Sequence, residues 1–277
     1  MASETTFSDI RSGYSISKSY NDAPLKDRGR DSFITWFYEE IKNWTHFEEF
    51  FSTLGTSNHL IESLCHTSFE HENSNLKFNS YERLEFLGDA VLDLLVSKVL
   101  LSRYPKLNEG RLSKLRGALV NENNLSKLAR GLEFGKLVLL GKGETQNGGQ
   151  EKNAILADIV ESTIAVFYLE KGIEGAESYL LKLTDFYQQH YGVDFYDQSH
   201  LDDFDSKTKL QEKTMAIFKE HPKYHSKESG NGEFEVQVTL KGIELAKMTH
   251  PSKKKAEKIL ASKILDKKLY NEVKDAH

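Results

Sequence analysis

Apolar residues recur every three or four positions between about residues 31 and 190, and no other feature of the sequence restricts the fold so strongly. This period places side chains along one side of an α-helix, as in the run Leu84, Leu87, Val91 and Leu95. No convincing run of alternating apolar and polar residues interrupts the region. The spacing therefore predicts an all-α domain over residues 31–190.

The pattern changes after residue 205 and predicts a small α+β domain in the order helix, strand, strand, strand, helix. The predicted elements are Ser206–Lys219, a weaker strand near Tyr224, the alternating run Glu233–Leu240, the run Ile243–Met248, and a helix capped by Ser252 that reaches about Leu269. We expect five parts in all: a disordered extension (1–30), the helical domain (31–190), an acidic linker (191–204), the α+β domain (205–270) and a tail (271–277).

Charge divides along the same line. The 277 residues carry a net charge of −5, but residues 205–277 hold 16 Lys and 11 acidic residues, a balance of +5, which leaves −10 for residues 1–204. Two units with different partners are indicated, and nucleic acid is one candidate for the basic unit, although many basic segments are merely solvated.

Cysteine usage and hydropathy bear on the location. The single cysteine, Cys65, excludes a disulfide framework and a thiolate metal cluster, and we interpret it as a small core residue. No run approaches the roughly 18 apolar residues of a membrane span, and the N-terminus has no apolar signal region. We expect a cytoplasmic protein with no membrane partner, and a nuclear or organellar location stays open.

Two acidic groups share the predicted helices with the apolar stripes. Glu82, Glu85 and Asp89 stand at i, i+3 and i+7, and Asp158 and Glu161 stand at i and i+3. Two carboxylates about 4 Å apart repel by roughly 4 kcal/mol at an effective dielectric constant of about 20. Such a cluster needs protons or cations, and ligands that are all oxygen select Mg²⁺ or Mn²⁺.

The two acidic groups have alternative interpretations. Each group alone is compatible with a solvated helix face. A di-iron bundle needs Glu-x-x-His on two helices, but Gly88 follows Glu85 and Ile164 follows Glu161 at that spacing. A glycine inside a helix costs about 1 kcal/mol against alanine, and Gly88 would allow something to approach the helix backbone closely.

Several motifs together resemble the ribonuclease III family of double-strand-specific endoribonucleases, in the family's order. They are ERLEFLGDAVL (82–92), LCHTSF (64–69), EGRLSKLRGALVNENNL (109–125), the second acidic motif within 140–172, and FDSKTKLQE (204–212) with PSKKKAEKILASKIL (251–265), which are similar to the two ends of a double-stranded-RNA-binding domain.

The resemblance implies a role for each matching carboxylate. Glu85, Asp89, Asp158 and Glu161 would hold the metal, with Glu161 as the essential ligand and Asp89 joining it in catalysis. Glu82 matches an acid of the signature outside these four and is interpreted as structural. Phe86 would belong to a dimer contact, and its alternative is an ordinary core residue.

The resemblance also implies the reaction. A homodimer would use Mg²⁺, which Mn²⁺ can replace, to cut both strands of duplex RNA, leaving 5′-phosphates and 3′-hydroxyl ends with short overhangs. Ribosomal and other structured precursor RNAs are the expected substrates. A binding protein that does not cut, and a silencing-pathway enzyme with the same chemistry, are the alternatives. The glycine-rich region near residues 141–149 does not match a Walker A motif, because Leu140 stands where the motif, counted from Gly135, requires a glycine. No nucleotide cofactor is therefore expected.

The implied RNA contacts lie in the second domain, where this chain also departs from the family. The residues that match the family's RNA contacts are Lys209, Gln211, Glu212, Lys253 and Lys254. Gly230 stands where the family's Gly-Pro-x-His loop has its histidine, and Thr67 replaces the family's usual arginine. We expect RNA binding through the lysines, with weaker affinity or altered positioning.

Overall fold

The computed structural model describes residues 15–22, 29–201, 206–229 and 232–275. The chain forms two compact units that divide between Tyr196 and Asp197. The first unit is helical, and the second contains a three-stranded sheet with flanking helices. The predicted fold class, an all-α domain followed by a small α+β domain, is confirmed.

Ten helices form the described part of the first unit. They are α1 (Ile16–Asp22), α2 (Arg30–Ile41), α3 (Phe47–Phe50), α4 (Asn58–Ser63), α5 (Thr67–Glu72), α6 (Glu82–Arg103), α7 (Glu109–Leu119), α8 (Glu122–Gly131), α9 (Lys142–Gln146) and α10 (Asn153–Tyr191). Gly172 breaks α10 with a φ of 72°, so this element consists of two helical halves. Across the described residues, no helix is long and apolar enough to span a membrane.

Helices α6 and α10 cross in backbone contact at Gly88. A Cβ atom placed on Gly88 would lie 1.8 Å from the carbonyl oxygen of Glu161, which no side chain permits. Glycine is therefore required here because the two helix backbones touch, and the backbone of α10 makes the close approach that Gly88 allows.

The first described residues differ from the disorder expected over residues 1–30. Ile16–Asp22 is a helix, in which Ile16 and Tyr20 are buried and the Tyr20 ring contacts Phe33 and Phe69 at centroid distances of 5.4 and 5.2 Å. Seven residues are too few to show a helical period, and tertiary contacts stabilise such a helix. Residues 1–14 and 23–28 of that predicted extension lie outside the described residues.

The first residues of segment 191–204, which the sequence predicted to be a linker, are packed in the first unit instead. Tyr191 ends α10, and Phe195 is buried with its ring 5.3 Å from that of Tyr187. Asp194 forms an ion pair with Arg103 at the end of α6. The acidic segment thus begins as part of the first unit, because an aromatic side chain and a charge partner hold it there. Residues 202–205 lie outside the described residues.

The second unit has the predicted order of elements. They are α11 (Ser206–Phe218), β1 (Lys223–Glu228), β2 (Phe234–Leu240), β3 (Ile243–His250), α12 (Lys253–Asp266) and a short α13 (Glu272–Asp275). The strands form an antiparallel sheet in the order β1-β2-β3. Alternate residues of β2, Val236 and Val238, pack with Leu260 and Ile264 of α12 in one apolar core.

Candidate active site

Three carboxylates from two helices converge beside the α6–α10 crossing. Glu85 on α6 and Asp158 and Glu161 on α10 each place one oxygen within 4.8 Å of the other two, and all three side chains are half-buried. The crossing at Gly88 brings them together, because Glu85 precedes Gly88 by about one turn and Asp158 precedes Glu161 by the same interval.

Burial and mutual repulsion change how these groups titrate. Burial, and then the charges of Asp89, Asp158 and Glu85, raise the pKa of Glu161 from 4.5 to about 8. The pKa of Glu85 is raised by burial first and then by neighbouring acids, of which Asp158 acts most strongly. Burial also raises the pKa of Asp158. At neutral pH the cluster therefore favours a bound proton or a cation over three free negative charges.

Asp89 lies at the border of this cluster. It is exposed on α6 and is not one of the three residues whose oxygens meet. Its charge nevertheless raises the pKa of both Glu161 and Glu85, so it belongs to the same electrostatic environment. Glu82 is exposed in the first turn of α6, and it too contributes to the raised pKa of Glu85.

Tyr81 is a part of the site that the sequence analysis missed. Its hydroxyl donates a hydrogen bond of 3.1 Å to Oδ2 of Asp158, which partly offsets the effect of burial on the pKa of that carboxyl. Burial and the charge of Asp158 raise the pKa of Tyr81, so the hydroxyl keeps its proton and remains a donor. The spacing of four residues between Tyr81 and Glu85 was the signal, because it puts both on one helix face.

Phe86 is directed away from the core. Its side chain is 81% exposed, and Leu94 and Leu101 on the same helix are 58% and 67% exposed. These intervals of eight and seven residues align with the helical repeat, so the three form an exposed apolar stripe along α6. The alternative that Phe86 is an ordinary core residue is wrong.

The candidate RNA-binding residues lie on the two long helices of the second unit. Lys253 and Lys254 are exposed in the first turn of α12, where the Ser252 hydroxyl accepts a hydrogen bond from the N–H of Lys255. On α11, Glu212 is exposed, whereas Lys209 and Gln211 are half-buried. Gly230, the position of the departure from the family's loop, lies outside the described residues.

Cys65 is fully buried, as the sequence predicted for a core residue. Burial and the charges of Glu70 and Glu62 raise the pKa of its thiol, which keeps it protonated. Its carbonyl oxygen accepts a hydrogen bond of 2.8 Å from the N–H of Tyr81, so its backbone supports the residue that holds Asp158.

Two known domain families match this chain in the order in which its units occur. Residues 57–185 match the family described as Ribonuclease-III-like, and residues 206–268 match the double-stranded RNA binding motif. The first match contains all four predicted carboxylates, and the second contains the sheet with α11 and α12.

Bacterial proteins named Ribonuclease 3 are similar over most of their length. The chain is 39% identical to that of Bacillus velezensis, over 83% of this chain and 92% of the relative. It is 41% identical to that of Syntrophobacter fumaroxidans, over 74% of this chain and 86% of the relative. Among solved structures, a nuclease domain of ribonuclease III from Campylobacter jejuni is 40% identical over 55% of this chain and all of its own, with a TM-score of 0.46.

The two family matches lie one in each unit, and the first includes the segments that build the acidic cluster. The chain therefore belongs to the ribonuclease III family, and it is an endoribonuclease that carries a double-stranded-RNA-binding domain.

Proposed function

We propose that this endoribonuclease hydrolyses double-stranded RNA with divalent cations, preferably Mg²⁺, held by Glu85, Asp89, Asp158 and Glu161. The convergence of three of these carboxylates within 4.8 Å is the observation that carries the proposal. A site that raises the pKa of Glu161 to about 8 has a strong need for positive charge.

The donor set fits a hard divalent cation. It offers only carboxylate oxygens, which Mg²⁺ and Mn²⁺ prefer, and its members come from two helices fixed against each other at Gly88. Tyr81 occupies one acceptor position of Asp158 and leaves the other oxygen free to face a cation. Asp89, exposed beside the group, would join the three converging carboxylates in holding the cation.

In this proposal, bound divalent cations supply an activated water and stabilise the leaving 3′-oxygen. The protein fixes the carboxylates so that little reorganisation accompanies the reaction. Glu161 is the central ligand, and Asp89 takes part in catalysis. The products are duplexes with 5′-phosphates and short 3′-hydroxyl overhangs. Ribosomal and other structured precursor RNAs are the substrates we propose, in the cytoplasm.

The second unit is proposed to hold the duplex. Lys253 and Lys254 stand at the first turn of α12, where free backbone N–H groups and the helix dipole also favour a phosphate. Lys209, Gln211 and Glu212 on α11 are proposed to contact the minor groove, where A-form RNA displays its 2′-hydroxyls.

The exposed stripe of Phe86, Leu94 and Leu101 is proposed to be covered by a second copy of the chain. A phenylalanine that is 81% exposed beside two exposed leucines is unfavourable in water, and aromatic side chains are typical anchors of interfaces. Phe86 immediately follows Glu85, so a homodimer built on this face would set the distance between two active sites, one for each strand.

We expect Glu161→Gln to slow cleavage of a long RNA duplex in Mg²⁺ by at least about a hundredfold, because one charged ligand is lost. Duplex binding, measured by mobility shift, should stay within about twofold. Glu82→Gln is the matched control, because Glu82 is an exposed acid in the first turn of α6. It should keep cleavage within about threefold. Full cleavage by Glu161→Gln, or cleavage in excess chelator, would contradict the site.

Without divalent cations, we expect the free energy of unfolding to fall as pH rises from about 5 to 8. The folded pKa of Glu161, about 8, exceeds the unfolded value of 4.5, so in this window the folded protein holds a proton that the unfolded chain has released. The stabilising contribution is complete below pH 4.5 and is lost as pH passes 8. For Glu161→Gln, the free energy of unfolding measured in urea should fall less steeply with pH than it does for the wild type. Equal slopes in the two proteins would argue against the raised pKa. Glu174→Gln, at an exposed position of α10, is the control.

Replacing Lys253 and Lys254 by alanine should weaken duplex binding. It should also lower the magnitude of the slope of log affinity against log salt by about 1.5 to 2, because the loss of two phosphate contacts reduces the number of counterions released on binding. The double variant of Lys263 and Lys267, which are also exposed on or beside α12 but at its other end, is the control of equal charge. An equal change of slope in both variants would mean that net charge alone acts.

Phe86→Ser should raise the dissociation constant of the homodimer by at least about thirtyfold, since an anchor residue contributes about 2 kcal/mol or more. Light scattering over a dilution series measures the mass. Leu181→Ser removes another exposed apolar side chain, 60% exposed on α10, and should leave the dimer intact. A wild-type protein that is monomeric, or a Phe86→Ser variant that dimerises normally, would refute this interface.

A further inference from the structure

The N-terminal helix α1 contacts the buried segment 138–140 through the hydroxyl group of Ser17. Ser17 is 1% exposed. Its Oγ donates a hydrogen bond of 2.5 Å to the carbonyl oxygen of Val138 and accepts one of 2.7 Å from the N–H of Leu140. One side chain thereby satisfies two buried backbone groups of the segment that runs from α8 to α9.

Leu139, which lies between Val138 and Leu140, forms its backbone hydrogen bonds with a different segment, residues 64–66. The N–H of Leu139 donates to the carbonyl oxygen of Leu64 over 2.7 Å, and the carbonyl oxygen of Leu139 accepts from the N–H of His66 over 3.0 Å. These two bonds form an isolated parallel bridge between Cys65 and Leu139. The segment 138–140 is therefore held on both edges, by α1 on one and by residues 64–66 on the other.

Residues 64–66 connect this segment to the active site. The carbonyl oxygen of Cys65 accepts a hydrogen bond of 2.8 Å from the N–H of Tyr81, and the Tyr81 hydroxyl donates to Asp158 over 3.1 Å. Hydrogen bonds joined by short stretches of covalent chain thus lead from Ser17 to a carboxylate of the acidic cluster.

We propose that Ser17 is a positioning residue for the active site, and that α1 acts as an intramolecular brace whose docking holds Asp158 in place through Tyr81. The part of this proposal that concerns the cations rests on the proposed role of Asp158. The brace itself does not, because it is a property of the hydrogen bonds alone.

The energetics favour such coupling. Without the Ser17 hydroxyl, the Val138 carbonyl and the Leu140 N–H lose their partner at a site from which water is excluded. The segment can recover these bonds only by moving, and Leu139 would then be displaced from residues 64–66. Because these residues are packed and not freely deformable, the displacement would pass to Tyr81.

The first test follows the bonds directly by amide hydrogen exchange of Ser17→Ala without added cations. We expect exchange at Leu139, His66 and Tyr81 to become about tenfold faster, the scale of one lost hydrogen bond to a buried group. Amides in the second half of α10 should keep their wild-type rates. Tyr20→Phe is the control on the same helix, because it removes only the bond from the Tyr20 hydroxyl to Asn73.

The second test measures Mg²⁺ binding by calorimetry, with Mg²⁺ alone and without RNA. Ser17→Ala should weaken binding by about threefold or more, since partners behind a metal ligand affect its affinity. Tyr20→Phe should bind as the wild type does. A Ser17→Thr variant, which keeps the hydroxyl, should recover at least part of the lost affinity.

Unchanged exchange at Leu139 and Tyr81 in Ser17→Ala would overturn the brace, and so would an equal increase at every amide of the first unit, which means general destabilisation. Faster local exchange with unchanged Mg²⁺ binding would overturn the positioning role. The exchange results are independent of the proposed function, which fails instead if Glu161→Gln cleaves normally.

Discussion

The backbone contact between Gly88 and Glu161 is the constraint on which the rest of the acidic cluster depends. It fixes where α6 and α10 cross, and the carboxylates then follow from helix geometry, because Glu85 and Asp158 lie about one turn before the two contact residues. Any side chain at Gly88 would separate the helices and move one half of the acidic cluster away from the other. The cluster is therefore positioned by backbone packing, which is stiffer than contacts between flexible side chains.

Placing the acids at a packed crossing also has an energetic cost. Half-burial and repulsion raise the pKa of Glu161 to about 8, and raise those of Glu85 and Asp158 as well. The cost is met by the surrounding helices, whose apolar core does not depend on the acids. A site arranged in this way is complementary to a cation before the cation arrives, and in the proposed function the preorganisation that destabilises the free protein serves the reaction.

The period of the apolar residues was sufficient to predict the helical unit and the order of elements in the second unit. The spacing of the acids was sufficient to predict that Asp158 and Glu161 share one helix face. Neither could show that Asp89 is exposed at the border, because that depends on the angle at which α6 and α10 cross. Helix α1 was missed for a different reason: seven residues carry no period, and it is Ser17 and Tyr20 that dock it. Likewise, Phe195 made part of the acidic segment a packed element, which composition could not reveal.

The difference in net charge between residues 1–204 and residues 205–277 has a consequence for catalysis. The first 204 residues carry −10 and contain the acidic cluster, so by themselves they repel a duplex that is densely negative. Residues 205–277 carry +5 and supply attraction on the same chain. A tethered basic unit raises the local concentration of duplex near the acids without adding lysines to the site itself. This separation lets the carboxylates keep the negative charge that divalent cations require, since a lysine placed among them would compete for their oxygens.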